Sequence, residues 1–129
     1  MTERRPSAVV AMLALSSAWE ARLTAELRDL GLTTRRLGLL AHVEALPGLS
    51  FSELARRTGI TVQSAHAAVR QLTDDGLVED ATAHAGAAST LRATDRGRAA
   101  LAAAQQRVAR LDEALAAEEP ALTAALAAV

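Results

Sequence analysis

The stretch TVQSAHAAVRQL, residues 61–72, holds the side chains of this chain best suited to recognising another molecule. With Ala65, Val69 and Leu72 turned inward at helical spacing, Val62, Gln63, His66, Ala67 and Arg70 share a neighbouring outward face. An amide such as Gln63 makes paired hydrogen bonds with adenine, an arginine such as Arg70 reaches guanine or a phosphate, and Val62 or Ala67 suits a thymine methyl. Thr61 and Ser64 stand at the helix start, where free backbone amides favour a phosphate. Together this is the chemistry of a duplex-DNA reader. A solvated face, with Arg70 paired to Asp74 one turn on, would use the same residues.

Other site chemistry is sparse. His42-Val43-Glu44 matches the start of a zinc deaminase signature, yet the chain has no cysteine to complete it, and residues two apart on a helix face apart. His42, His66 and His84 are too scattered to define a metal site. Neither a glycine-rich phosphate loop nor a Gly-x-Ser-x-Gly elbow occurs. No catalytic residue, metal or cofactor is therefore expected. With one Phe, one Trp and no Tyr, the stacking platforms of single-strand binders are also missing.

The elements that must position residues 61–72 follow from composition and periodicity. A chain of 129 residues, 50% hydrophobic but only 2% aromatic, must build its core from Ala, Leu and Val, which favours packed helices. One domain spanning 1–129 is expected. Its 14 basic residues, all arginine, face 15 acidic ones for a net charge of −1, so any affinity for phosphate must come from local clustering. The absence of cysteine excludes disulfides and fits a cytoplasmic protein.

At the N-terminus, Arg4-Arg5 followed by an apolar run imitates a secretory signal. However, Val9, Met12, Leu13, Trp19, Leu23, Leu27 and Leu30 continue at steps of three and four through the supposed cleavage site, as an amphipathic helix does. No stretch approaches the roughly 18 apolar residues of a membrane span, so no membrane partner is expected.

Residues 7–30 thus read as one long helix ending at Gly31. Thr33 or Thr34 caps a second helix through Leu46. Ser50 and Glu53 have capping-box spacing at the start of a short third helix that stops at Gly59. Thr61 caps the fourth, 61–75, with Ala65, Ala68, Val69 and Leu72 inward and Gly76 as its stop. Two extended pieces, 77–83 and 89–93, form a hairpin around Gly86. Thr94 or Asp95 opens a fifth helix with heptad-like Leu101, Val108, Leu111 and Leu115, and after Glu118-Glu119-Pro120 a last short helix follows.

In its combination of LTTRRLGLLAHVEALPGLSFSELARRTGITVQSAHAAVRQLTDDGLVED with LRATDRGRAAL, the chain resembles the MarR family of bacterial transcriptional regulators. Leu54-Ala55 with Gly59-Ile60, Leu72 with Gly76-Leu77-Val78, and Thr94 with Gly97-Arg98 carry the resemblance. It implies a mainly α winged helix-turn-helix with a small β-hairpin wing, in which 33–94 is the reading module and 7–30 with 95–129 are dimerisation helices. Duplex DNA would be bound by a homodimer, through Thr61, Val62, Gln63, Ser64, His66, Ala67 and Arg70, with Arg92 on the wing.

The resemblance also implies a cleft between dimer arms and reading module for a small aromatic or phenolic ligand, with Met12, Trp19, Arg22 and His42 as candidate lining. One departure is substantive: the family's Asp-x-Arg wing motif is replaced by Gly86-Ala87-Ala88. From Ser50 to Arg98, six arginines (56, 57, 70, 92, 96, 98) are balanced by six acids (53, 74, 75, 79, 80, 95). Two readings follow. One is a regulator that leans on its recognition helix; the other is a scaffold that has given up DNA and holds, or less readily transforms, a small molecule.

Overall fold

A computed structural model describes residues 4–80 and 91–129. The hairpin tip expected around Gly86, His84 included, lies outside the described residues. Chain order is α1 (Ala8–Leu27), a single 3-10 turn (Arg28–Leu30), α2 (Thr34–Ala45), α3 (Phe51–Thr58), α4 (Val62–Asp74), β1 (Val78–Asp80), β2 (Leu91–Ala93), α5 (Asp95–Glu118) and α6 (Pro120–Leu126).

Helices α1 to α5 each open on a hydroxyl cap. Ser7, Thr33, Ser50, Thr61 and Thr94 accept hydrogen bonds from the amides of Val10, Arg36, Glu53, Ser64 and Gly97, which satisfies donors that the helix itself leaves free. α6 opens instead with Pro120 in its first turn, where the missing N–H costs nothing.

Two local expectations need correction. The first helix is not continuous to residue 30: α-helical geometry ends at Leu27, and the Gly31 and Leu32 amides turn back to the Arg28 and Leu27 carbonyls at 3.1 and 3.2 Å. Gly31, at φ 70°, supplies the left-handed residue that lets the last turn tighten. The Ser50 box is made on one side only. Ser50 caps Glu53, but the Glu53 carboxylate turns to Arg56 at 2.6 and 2.7 Å and to Arg57 at 3.6 Å, because charged partners outbid a neutral amide.

Periodicity placed the core correctly. Ala65, Ala68, Val69 and Leu72 of α4 are buried and, Ala65 aside, share one cluster with Leu27, Leu39, Leu40, Val43, Leu54, Leu91 and Leu101. α3 and α4 meet through Gly59, and β1 pairs antiparallel with β2 in the register Val78↔Ala93, Glu79↔Arg92, Asp80↔Leu91. The Gly48 amide donates to the Leu91 carbonyl at 3.0 Å, so the α2–α3 loop is tied to β2.

Thr94 and Gly97 lock the base of this hairpin to α5. The Thr94 hydroxyl donates to the Gly76 carbonyl at 2.6 Å, and its amide donates to the Leu77 carbonyl at 3.0 Å. A Cβ on Gly97 would lie 2.0 Å from the Leu77 carbonyl oxygen, so only glycine permits this approach. The family-spaced Thr94 and Gly97 are thus structural.

The arms are less finished. α1 buries only Leu27, and Val9, Val10, Met12 and Leu13 are 60–64% exposed. Among the described residues, no helix is long and apolar enough to cross a membrane.

Candidate nucleic-acid interface

The outward face of α4 is uncovered. Gln63, His66, Ala67 and Arg70 are exposed, and Val62, an apolar side chain, is 43% exposed beside them. The cap arranges the start of this face: Thr61 Oγ1 accepts the Ser64 amide at 3.0 Å and donates its proton to Ser64 Oγ at 2.9 Å. As the acceptor in that hydrogen bond, the Ser64 hydroxyl keeps its own proton to donate elsewhere. His66 lies flat on Phe51 of α3, with ring centroids 3.8 Å apart and planes 18° apart, which fixes the imidazole while leaving its nitrogen-bearing edge open.

Arg70 makes no ion pair among the described residues, so the pairing with Asp74 that helical spacing allows is not formed. Arg92 is exposed on β2 opposite Glu79. It lines a depression of about 620 Å³ with Glu44, Pro47, Glu79, Arg96 and Arg98, to which no α4 residue contributes. The structure therefore gathers Thr61, Val62, Gln63, Ser64, His66, Ala67 and Arg70 on one helix and sets Arg92 apart.

Sequence reasoning missed two arginines near this face. Arg35 is exposed and shares a cleft of about 230 Å³ with Thr33, Arg36, Ser64, Ala67 and Gln71, which brings a further cation beside α4. Arg36 is drawn inward, its Nη1 donating to the Gly31 carbonyl at 2.7 Å and its Nη2 pairing with Asp75. The signal for Arg36 was present. It precedes Leu39, Leu40 and Val43 by three, four and seven residues and so stands in the buried stripe of α2.

Among acidic groups, the hydrogen bond from Arg56 holds the Glu53 carboxyl below its ordinary range, against the upward pull of desolvation, so Glu53 stays charged and engages both α3 arginines. At the arms, the hydrogen bond from Arg107 likewise lowers Asp29, and Arg107 is raised in return.

The candidate ligand residues fall into two places. Met12 and Trp19 line an apolar cavity of about 530 Å³ with Leu15, Leu115, Leu122 and Leu126, where α1, α5 and α6 meet. Arg22 lies 3.9 Å over the Trp19 ring, and its Nη1 donates to both Glu118 oxygens at 2.9 and 3.2 Å; this arginine already holds a carboxylate of its own chain. His42 lines a separate cleft with Arg35, Thr58 and Ile60. Its Nδ1 is 2.7 Å from the Gly38 carbonyl, which only accepts, so Nδ1 carries the proton and Nε2 is the acceptor in the neutral ring. No group of metal-ligating side chains occurs among the described residues.

Two helices joined through a glycine turn, then an antiparallel hairpin and a long closing helix, define a winged helix-turn-helix protein. A MarR-family model matches residues 30–86. Over 78 residues, 60% of this chain, the sequence is 37% identical to the HTH-type transcriptional repressors Mb2911 of Mycobacterium bovis and Rv2887 of Mycobacterium tuberculosis. That match spans only 56% of those relatives.

The fold is similar to M. tuberculosis Rv2887 in complex with DNA, at a TM-score of 0.74 and 27% identity, covering 92% of this chain and 88% of that one. Similarity to Rv2887 in complex with salicylic acid has a TM-score of 0.67 and 29% identity, covering 88% and 84%. The family model over residues 30–86, the named repressors and the shared fold together support a MarR-family winged-helix protein.

Proposed function

We propose that the chain is a ligand-responsive transcriptional regulator that binds duplex DNA in the cytoplasm as a homodimer, reading the major groove with α4. The observation that carries this reading is the open α4 face, where Gln63 is exposed, Arg70 makes no ion pair among the described residues, and Val62 has no packing reason to be uncovered. Rv2887, similar to this chain across most of its length, is solved with DNA. Residues 33–94 are assigned to reading, and 7–30 with 95–129 to dimerisation.

The arms support the homodimer. Val9, Val10, Met12 and Leu13 on α1 and Leu126 on α6 are 51–64% exposed, an apolar surface that a second copy would cover. Two reading helices held by one set of arms engage two half-sites in one event, which offsets the missing Asp-x-Arg motif of the wing. The ligand is assigned to the Met12–Trp19 cavity, whose volume suits a small aromatic molecule. Salicylic acid in Rv2887 supports an aromatic acid, whose carboxylate would take Arg22 from Glu118. His42 sits in its own cleft, a separate candidate contact.

The test is binding to the DNA upstream of the chain's own gene at two salt concentrations, with Gln63→Ala and Arg70→Ala beside the parent. The parent should bind with a clear salt slope, Arg70→Ala should bind less tightly, and Gln63→Ala should lose about 1–3 kcal/mol of discrimination at one base position. The second reading, a scaffold that holds a small molecule and no DNA, draws support from the balance of six arginines and six acids between Ser50 and Arg98. It predicts no binding even at low salt, with a rise in melting temperature on adding salicylate.

A further inference from the structure

We propose that Arg36 is a positioning residue that fixes the angle between the dimer arms and the recognition helix, and so makes the protein selective for the spacing of its two half-sites. The inference rests on the DNA-binding reading above and specifies how its geometry is held. Arm and module meet at Gly31, the left-handed residue between the 3-10 turn that ends α1 and the start of α2. Leu27 of α1 and Leu72 of α4 share the buried cluster, and Gly31 is the point between the two helices at which the backbone is freest to bend.

One guanidinium spans that joint. Arg36 Nη1 donates to the Gly31 carbonyl at 2.7 Å, while its Nη2 pairs with Asp75, the cap residue of α4, and reaches the Gln71 carbonyl at 3.5 Å. The side chain is only 16% exposed and its Nε–H is buried without a partner among the described residues, so it is seated in the fold rather than spread on the surface. Its charge also stands at the carbonyl end of α4, where a cation is favoured.

From the other side, Arg107 of α5 pairs with Asp29 through both of its terminal nitrogens and donates to the Glu26 carbonyl. Arg107 therefore ties α5 to the arm side of the joint, and Arg36 ties the joint to the reading helix. Arg36 serves these segments from two different terminal nitrogens of one rigid planar group, whereas a lysine has a single nitrogen for all of its donors.

The consequence is mechanical. Inserting one base pair between half-sites rotates and shifts one of them, and a braced dimer cannot follow. A loosened joint can, at some loss of affinity for the correct site. The experiment selects duplexes from a random-sequence pool with the parent protein, then measures affinity for the selected duplex and for the same duplex with one base pair inserted at its dyad. The ratio of the two affinities is the readout, because a variant that is merely less folded weakens both alike and leaves the ratio unchanged.

For the parent the ratio should be about 100-fold, and for Arg36→Gln it should fall to about 10-fold or less. Asp75→Asn, which changes an exposed carboxylate and leaves the Gly31 contact in place, should move the ratio the same way and serves if Arg36→Gln folds poorly. Arg36→Lys should fall between parent and Arg36→Gln. An unchanged ratio in Arg36→Gln, or in Asp75→Asn where Arg36→Gln does not fold, overturns the inference while leaving the DNA-binding reading intact. A pool that yields no duplex overturns both.

Discussion

α4 and α1 both carry apolar residues at helical spacing, yet the chain packs the apolar stripe of one and leaves most of the other uncovered. α4 buries Ala65, Ala68, Val69 and Leu72 against its own protein and shows solvent a face that carries Gln63, His66 and Arg70. α1 is longer, buries Leu27 alone, and leaves Val9, Val10, Met12 and Leu13 uncovered. A polar open face is suited to a partner rich in hydrogen-bonding edges, and an apolar open face to another apolar surface. The difference teaches that this chain finishes the packing of its helix-turn-helix and leaves the apolar surface of its long first helix unpacked.

This contrast can be broken from either end. Gly97→Ala attacks the finished end, because the new methyl would collide with the Leu77 carbonyl oxygen that anchors the hairpin base. It should cost about 3 kcal/mol, read by urea unfolding, and Gly38→Ala, where added Cβ meets nothing within 4 Å, should not destabilise comparably. Val9→Glu with Leu13→Glu attacks the open end. The pair should convert dimer to monomer in sedimentation and lower affinity for a two-half-site duplex by about 100-fold. Its module should keep its fold, since neither residue belongs to the buried cluster.

The smallest effect sharpens the boundary between the two ends. The hydrogen bond from Arg107 lowers the Asp29 pKa, so the pair adds stability in full above the ordinary aspartate value and loses it as pH falls through the lower, folded value. Asp29→Asn lacks that dependence. The stability gap between parent and Asp29→Asn, measured by thermal unfolding, should therefore narrow as pH drops below about 4. A gap that stays constant across this range would mean that the pair is not formed in solution.

How far the sequence could be read depended on the distance over which each signal acts. The caps at Ser50 and Thr61 and the stripe through Ala65 and Leu72 are local patterns that appear where spacing puts them, whereas Thr33 over Thr34 and Thr94 over Asp95 are choices that spacing leaves open. Glu53 went to Arg56 and Arg57 rather than back to its cap, a choice among near neighbours that spacing leaves open. The resemblance groups His42 with Met12 and Trp19 in one cleft, yet they line different cavities, since which cavity a side chain lines depends on elements far apart in sequence. Arg22 is the clearest instance: its carboxylate partner, Glu118, is 96 residues away.

By itself the amino-acid order determined helix starts and stops to within a turn, which face of α4 turns inward and which family the chain resembles, because capping, glycine stops and periodicity operate within a few residues. Only the tertiary structure decided which arginines are taken by the protein's own acids and which are left for a partner. Those pairings join residues brought together by packing alone, as Arg36 with Asp75 and Arg107 with Asp29, and no local rule encodes them.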